Sequence, residues 1–325
     1  MKLVAFDPGY GAVKIFHEGG SLQMPSAVAV DGGRRVTGML GLKARRPPLE
    51  VTLPEGRFFV GEGAHDWGRP VESLDFGRLT GSPEMRALFC GAMTRAGIEG
   101  EAELVVGLPV EAMSGPEAPG TVQAVKAFLR GVWIWSAEGR ERRLEVREVL
   151  VTGQPAGALF DYFLDMDGQP LSERRAEFAS EIGIINIGMN TLDLMAARKG
   201  ELIQRLTGGE TLGVRRLLAL LNPDGLYTLA ELDARLRRKE LDVRPALPIW
   251  TREVMGFIER QWGRGWRRFG RIIAVGGGAL LLSVALAERF EGKLFVPDDP
   301  VISTARGLYK LGRPQSNQRG IETRP

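Results

Sequence analysis

The sequence predicts an α/β protein of two lobes, each a copy of one βββαβα-type unit. The chain has 325 residues, and single domains usually hold about 100–200 residues. An apolar strand, a polar glycine turn and a second apolar strand occupy 2–16, and the same pattern returns at 183–194. Further along, each hairpin is followed by an apolar strand that runs into glycine, at 104–107 and at 274–276. A pattern that restarts in this way predicts an internal duplication.

Composition excludes several classes of protein. Hydrophobic residues make up 44% and charged residues 26% of the chain, as in an ordinary globular protein. The single cysteine, Cys90, allows no internal disulfide, and the two histidines, His17 and His65, argue against a histidine-rich metal site. The longest apolar run, 272–287, is shorter than a membrane span of about 20 residues and holds three consecutive glycines. We therefore expect a protein of the reducing cytoplasm without a membrane segment.

Charge and residue usage add two weaker expectations. The net charge of +3 is too small to predict direct nucleic-acid binding from the global balance. Arginine outnumbers lysine 35 to 8, and thermolabile amides are few, which favours a thermophilic source.

The remaining elements follow from apolar periodicity and from the positions of glycine and proline. The segment 121–129 has mixed character, and a polar tail begins at 312. We expect helices at 82–96, 155–165, 212–221, 229–241, 251–269 and 304–311, strands at 104–108 and 149–152, and short strands with exposed loops across 31–82.

The two glycine turns are the segments most suited to chemistry. Asp7 ends the first apolar strand, and Gly9, Gly11 and Lys14 follow it. Glycine lets a turn aim successive backbone N–H groups at one set of phosphate oxygens. An aspartate suits a magnesium ion that keeps its water shell, and Lys14 is placed to neutralise phosphate charge. Either turn alone is also compatible with a purely structural β-turn.

Five motifs, taken together, resemble the actin and heat-shock-chaperone ATPase superfamily. Residues 7–14, with the pattern Asp-x-Gly-x-Gly-x-x-Lys, resemble its first phosphate loop, and 185–193 resemble its second. Residues 154–158 resemble the helix that connects the lobes, and 275–279 resemble the adenosine motif. Residues 300–309 are similar to the C-terminal segment of plasmid-segregation actin-like proteins of the ParM/StbA type. The motifs occur in the family's order across nearly the whole chain.

The resemblance implies an actin-like ATPase fold with ATP or ADP and Mg²⁺ in a cleft between two lobes. Residues 1–150 with 300–325 would form the first lobe, and 151–299 the second. Gln154 would orient the hydrolytic water, in a catalytic set with Asp7 and Asn186. The expected nucleotide contacts are Gly9, Tyr10, Gly11, Lys14, Gly188, Met189, Asn190 and Thr191 for the phosphates, and Gly276, Gly277, Gly278 and, as a weaker candidate, Glu210 for the adenosine.

Asn186 departs from the family pattern, which has aspartate at the start of the second loop. An amide can hydrogen-bond a coordinated water but cannot take up a proton. One hypothesis is that nucleotide binding survives while hydrolysis is slowed. The alternative is that Asn186 is a tolerated exchange, with Asp7 and Asp193 carrying the metal.

By the same resemblance the chain would assemble into filaments with itself and hydrolyse ATP to time their disassembly. Its duty would be to position plasmid or chromosomal DNA through a separate DNA-binding adaptor, without direct nucleic-acid contact. Two alternatives stay open. A small-molecule kinase of the same fold would need an acidic base where this chain has Gln154, and a non-polymerising nucleotide-binding scaffold is suggested by Asn186.

Two basic segments are interpreted as ordinary solvated surface. The first has arginines near helical spacing between 260 and 271, beside Trp262 and Trp266; contact with a nucleic-acid backbone is the alternative. The second is the loop around Lys43, Arg45 and Arg46, for which a filament or adaptor contact is the alternative.

Overall fold

The computed structural model describes residues 1–33, 46–72 and 75–322 of the chain. Within these residues the strands form two sheets, one of ten strands and one of six. We call the part built on the ten-stranded sheet the first lobe, and the part built on the six-stranded sheet the second lobe. None of the described helices is both long and apolar enough to cross a membrane.

The first lobe contains most of the β-structure. Two helices lie within it, α1 (Pro83–Ala96) and α2 (Ala118–Leu129). Its strands are β1 (Lys2–Pro8), β2 (Ala12–His17), β3 (Gly20–Pro25), β4 (Val28–Val30), β5 (Leu49–Leu53), β6 (Gly56–Val60), β7 (Arg69–Val71), β8 (Gly100–Leu108), β9 (Gly131–Ala137) and β10 (Arg140–Gly153).

The rest of the chain contains eight described α-helices and six described strands. The strands are β11 (Glu181–Ile187), β12 (Leu192–Arg198), β13 (Glu201–Leu202), β14 (Gly208–Glu210), β15 (Phe269–Val275) and β16 (Leu294–Phe295). The helices are α3 (Gln154–Phe163), α4 (Arg175–Phe178), α5 (Val214–Leu221), α6 (Leu229–Arg237), α7 (Leu247–Trp262), α8 (Gly277–Leu281), α9 (Ser283–Arg289) and α10 (Ser303–Glu322).

The two sheets repeat one topology, as the sequence predicts. The first contains the strand order β3-β2-β1-β8-β10, and the second has the order β13-β12-β11-β15-β16. In each, the first two strands of the unit pair antiparallel as a hairpin, and the opening strand pairs parallel with a later strand, β8 in the first sheet and β15 in the second. The prediction of two duplicated βββαβα-type lobes is therefore confirmed. The first sheet extends beyond the repeat through β9, β5, β6, β4 and β7.

Strand β1 shows why the opening residues form a central strand. Val4 and Phe6 belong to the core on the side of α1, whereas Leu3 and Ala5 pack with Leu308 of α10 on the opposite side. A strand covered on both faces must be apolar at successive positions. The short run of apolar residues before Asp7 meets that requirement.

Helices α3 and α10 lie between the sheets and pack against each other. Helix α3 shares a buried cluster with β11, β12 and β15 of the second sheet, and α10 covers β1 and β8 of the first. At their crossing, a Cβ added to Gly307 would lie 1.7 Å from the carbonyl oxygen of Gly157 and 2.6 Å from the amide nitrogen of Asp161. Only glycine permits this separation. We propose the division into 1–150 with 300–325 and 151–299 on the basis of these contacts.

A buried ion network fastens the same crossing. Asp161 of α3 accepts two hydrogen bonds from the Arg306 guanidinium, at 2.6 and 2.7 Å, and one from the Ser303 hydroxyl. The Lys310 ammonium lies 2.9 Å from the same carboxylate. These donors lower the pKa of Asp161 against the opposing effect of burial, so the carboxylate stays ionised and joins the two helices.

Most predicted elements are present, with shifted ends. The expected helix at 251–269 is wrong in its second half, because α7 stops at Trp262 and Gly263 has a φ of 49°. The chain then forms a 3₁₀ turn, Gly265–Arg268, and enters β15. The segment 121–129, of mixed character in sequence, lies in α2. Short strands do occur in 31–82, although residues 34–45 and 73–74 lie outside the described part.

Candidate functional site

The two predicted phosphate turns meet face to face between the lobes. The first joins β1 to β2, and the second joins β11 to β12. A Cβ added to Gly11 would lie 2.8 Å from the Met189 Cβ, so the turns touch at this point. A Cβ added to Gly9 would lie 2.5 Å from the Ala12 carbonyl oxygen and 2.8 Å from the Lys14 Nζ. Both glycines are therefore required by the close approach of neighbouring atoms.

The start of α5 sets the orientation of the second turn. The carbonyl oxygens of residues 188–190 accept hydrogen bonds from the amides of residues 213–215, at 2.7–3.1 Å. The C=O and N–H of one trans peptide point in opposite directions, so the amides of 189–191 point away from α5. In the described part of the chain these three amides have no protein acceptor. A run of such amides forms a concave site for an anion.

Gly213 allows this contact between α5 and the second turn, and the buried Asn190 has an acceptor that no described residue satisfies. A Cβ added to Gly213 would lie 2.5 Å from the Met189 carbonyl oxygen, so a larger residue would separate α5 from the turn. Asn190 is 2% exposed, and its Oδ1 has no hydrogen-bond partner among the described residues. Buried polar atoms are normally satisfied. A donor carried by a ligand or by a metal-bound water would satisfy this oxygen.

Asp7 brings together two other predicted residues. Its carboxylate accepts a hydrogen bond from the Gln154 Nε2 at 2.6 Å and lies 3.0 Å from the Lys14 Nζ. Asp7 is 2% and Gln154 7% exposed, so both contacts are shielded from water. With its nitrogen on Asp7, Gln154 retains the Oε1 as an acceptor for a water. Lys14, which was expected to contact the phosphates, is hydrogen-bonded to Asp7 here, and its ammonium also lies over Gly9.

Asp193 lies at the contact between the lobes. It accepts hydrogen bonds from Thr191 Oγ1 at 3.1 Å and from Asn186 Nδ2 at 3.4 Å, both in the second lobe. The Val110 amide of the first lobe donates a third, at 3.1 Å. Burial raises the pKa of Asp193 to about 7 despite these donors. In this arrangement protein donors already engage both oxygens, and the metal-binding role expected for Asp193 stays a prediction.

The predicted adenosine residues differ in their surroundings. Gly276 has a φ of 87°, and its added Cβ would lie 2.3 Å from the Ile187 carbonyl oxygen. A Cβ on Gly278 would lie 2.2 Å from the Ile187 Cγ2, whereas one on Gly277 would meet no atom of the described residues within 4 Å. Packing against β11 thus explains Gly276 and Gly278, and Gly277 borders open space.

Glu210 lies near these turns, at the surface. It ends β14, pairs with Leu192 of β12, and forms a 3.0 Å ion pair with Arg260. Glu111 of the first lobe faces the same region, where burial and the charge of Glu210 raise the pKa of Glu111. A role for Glu210 at the ribose stays a prediction.

Other residues singled out in the sequence are structural. Arg260, Arg268 and Arg271 pair with Glu210, Glu181 and Glu177, and Trp262 is 3% exposed. This agrees with a solvated basic face beside a packed core. Cys90 is buried, and burial raises its thiol pKa. Lys43 and Arg45 lie outside the described residues. The described residues contain no group of three or more His, Cys, Asp or Glu side chains placed to hold a metal ion.

Four residues that shape the site are not predicted from the sequence. Ser26 and Arg78 contact the first turn, Val110 joins the lobes, and Gly213 admits the second turn against α5. Gly213 carries a detectable signal, because a glycine near the start of an apolar helical segment suits the N-cap position. The others lie far from the motifs in sequence and carry no local pattern.

Comparison with known proteins shows a family match over the N-terminal part of the chain and a shared fold over nearly all of it. The profile of the family described as actin like proteins N terminal domain matches residues 5–157. No curated protein matches the chain significantly. The apo pSK41 ParM structure is similar over 98% of both chains, at 17% identity and a TM-score of 0.72.

Two further structures cover nearly the whole chain. The archaeal actin homologue Ta0583 in complex with ADP is 20% identical over 98% of this chain and 100% of its own, with a TM-score of 0.74. A 15-stranded ParM filament from Clostridium botulinum is 17% identical over 96% and 99%, with a TM-score of 0.72. At these identities the structures show a shared fold. The chain therefore has the two-lobed actin-like fold, and its residues 5–157 match the N-terminal domain of the actin-like proteins.

Proposed function

We propose that this chain is a filament-forming ATPase that binds Mg–ATP between its lobes and acts in plasmid or chromosomal DNA segregation. One observation carries the proposal: two glycine turns, one from each lobe, meet between the lobes, and three amides of the second turn have no acceptor among the described residues. Backbone amides of this kind bind phosphate oxygens without further charge. The ADP complex of the archaeal homologue is consistent with this assignment.

The residues present fit a nucleotide with its metal. The amides of 189–191 and the turn at 9–11 would hold the phosphates, and Gly277 leaves space beside the backbone where the adenosine is expected. Within the part of the chain that the structure describes, the Asn190 Oδ1 is a buried acceptor without a partner. Asp7, a buried carboxylate at the end of β1, would accept hydrogen bonds from the waters of Mg²⁺. Bound Mg–ATP supplies the phosphoryl group and part of the charge that stabilises its transfer to water.

Gln154 is the residue we assign to the attacking water. Its amide nitrogen is fixed on Asp7 at 2.6 Å, so its oxygen is held in one orientation. An oriented acceptor lowers the entropic cost of positioning a nucleophilic water. Lys14, 3.0 Å from Asp7, supplies the positive charge nearest to this pair and would be shared between Asp7 and the phosphates.

Asn186 places an amide, which cannot take up a proton, beside Asp193. It lies at the end of β11 and donates to Asp193 at 3.4 Å, so its amide already has a structural partner. An aspartate in its place would face a second buried carboxylate, and one of the two would hold a proton. The hydrogen bond to Asp193 supports a structural role for Asn186. As an amide, Asn186 stabilises this contact but cannot act as an acid or a base.

Assembly and partners rest on the similar structures. The Clostridium botulinum ParM is described as a filament, and we extend self-association to this chain from its fold. Plasmid or chromosomal DNA would be contacted through a separate DNA-binding adaptor. A small-molecule kinase and a non-polymerising scaffold remain the alternatives, and the amide at Gln154, where a kinase would need a base, supports hydrolysis over transfer to an acceptor.

High-speed pelleting tests this proposal. The protein is incubated with magnesium and ATP, with magnesium and ADP, or without nucleotide, and phosphate release is followed in the same tubes. We expect pelleting that depends on the nucleotide, accompanied by phosphate release. A protein that stays in the supernatant in every state refutes the filament assignment. Pelleting without phosphate release would leave the filament assignment standing and refute the ATPase assignment.

A further inference from the structure

The carbonyl of Gly9 is held by two side chains from distant parts of the first lobe. The Ser26 hydroxyl donates to this oxygen at 2.6 Å, and the Arg78 Nη2 donates to it at 3.2 Å. Ser26 also donates its amide to the Gly11 carbonyl oxygen at 3.1 Å. The turn between β1 and β2 is therefore fixed at both ends by Ser26 and at Gly9 by a cation.

Arg78 also contacts the side chain of the next residue. Its guanidinium carbon lies 4.1 Å from the centre of the Tyr10 ring, and Phe76 packs edge-on against the same ring, with centroids 5.9 Å apart. Arg78 is 6% exposed, and desolvation lowers its pKa. Burying a guanidinium is costly, so these contacts must offset a substantial loss of hydration.

Because the Gly9–Tyr10 peptide is planar, the contacts that hold the Gly9 carbonyl also fix the direction of the Tyr10 N–H. The Gly9 carbonyl and the Tyr10 N–H belong to one trans peptide and point in opposite directions. With the oxygen held towards Ser26 and Arg78, the Tyr10 N–H points away from them. No described protein acceptor receives this N–H. The first turn thus presents an oriented donor in the same way as the second turn.

We propose that Arg78 and Ser26 are positioning residues that orient the Gly9–Tyr10 peptide and thereby set the affinity of the first turn for phosphate. This inference rests on the proposed nucleotide site. The two turns differ in one respect that makes it testable: backbone amides of 213–215 orient the second turn, whereas side chains orient the first. Substitution of those side chains releases one peptide and leaves the other turn intact.

The experiment compares three variants by calorimetric titration with ADP and with adenosine, in the presence of magnesium. Arg78→Met removes the donor and the cation, and Ser26→Ala removes the second donor. Arg86→Met is the matched control, because Arg86 lies in the same lobe, 40% exposed, with its guanidinium over the Phe128 ring. Loss of one charge-assisted hydrogen bond to the turn should weaken ADP binding about tenfold in Arg78→Met and about threefold in Ser26→Ala.

Titration with adenosine distinguishes the loss of phosphate positioning from a general structural effect of the substitution. Because adenosine has no phosphate, its affinity should be unchanged in all three variants, and Arg86→Met should bind ADP as the wild type does. Equal ADP affinity in folded Arg78→Met and wild type would overturn the inference, as would a parallel loss of adenosine and ADP binding. If Arg78→Met does not fold, Ser26→Ala alone decides by the same comparison. A wild-type protein that binds no ADP would instead refute the nucleotide site itself.

Discussion

The crossing of α3 and α10 at Gly157 and Gly307 predicts a large effect from one methyl group. In Gly307→Ala the new Cβ would lie 1.7 Å from the Gly157 carbonyl oxygen, where the closest ordinary C···O contacts are about 3.3 Å. Both atoms belong to helix backbones, so no side chain can rotate away, and the helices must separate by about 1.6 Å. Overpacking usually costs about 1–3 kcal/mol, and this contact belongs at the upper end.

The higher helix propensity of alanine offsets part of this overpacking cost. Alanine is favoured over glycine within a helix by about 1 kcal/mol, which leaves a net destabilisation of about 2 kcal/mol for Gly307→Ala. For a chain of this size that corresponds to a fall in Tm of several degrees, at about 2–4 °C per kcal/mol. Differential scanning calorimetry without nucleotide measures it directly.

A second glycine provides the matched control. Gly120 lies in α2, and a Cβ added there would meet no atom within 4 Å in the described part of the chain. Gly120→Ala should therefore gain about 0.4–1 kcal/mol and raise Tm slightly. The reasoning is refuted if Gly307→Ala unfolds at or above the wild-type temperature, or if the two variants shift Tm by the same amount.

Four other substitutions test the site. Gln154→Ala should lower the rate of phosphate release about a hundredfold and leave ADP affinity nearly unchanged; an unaltered rate would remove Gln154 from the mechanism. Asn186→Asp should raise phosphate release if the amide slows hydrolysis, and a rate equal to or below the wild type's would show that it does not. Gly213→Ala, whose Cβ would lie 2.5 Å from the Met189 carbonyl oxygen, should weaken ADP binding about tenfold by turning the amides of the second turn; wild-type affinity would contradict this orientation. Asp193→Asn should flatten the pH dependence of stability. Because burial raises the folded pKa of Asp193 to about 7, above an unfolded value near 3.9, the folded state binds the extra proton, and wild-type stability falls as the pH rises from about 4 to about 7. Urea unfolding at about pH 5 and about pH 7.5 measures this difference, and equal slopes in both proteins would exclude Asp193 as its source.

Elements with strong local patterns were predictable from the sequence. The hairpins at 2–16 and 183–194 combine apolar strands with glycine turns, and they form β1–β2 and β11–β12. The end of α7 was not predictable from periodicity, because the apolar residues of 263–269 continue a helical spacing while Gly263 takes a φ of 49°. A single backbone angle there decides between helix and turn.

Some contacts within the candidate site were likewise predictable from the sequence, and others were not. Asp7, Lys14 and Gln154 were proposed from motifs. In the structure, Lys14 and Gln154 each lie within hydrogen-bond distance of Asp7. Arg78 is 69 residues from Gly9 in sequence, and its contact with the turn depends on how the outer strands of the first sheet fold back. Tertiary packing of this kind leaves no periodic or spacing signal in the chain.

The packing of α10 on β1 constrains the order in which the protein folds during synthesis. Leu3 and Ala5 are covered by Leu308 and Tyr309, which a ribosome adds about 300 residues later, some 15–60 s at usual elongation rates of about 5–20 residues per second. Until then one face of the central strand of the first sheet stays uncovered. The nascent chain therefore carries an apolar surface through most of translation, and the first lobe can reach its final packing only after the second lobe has been made.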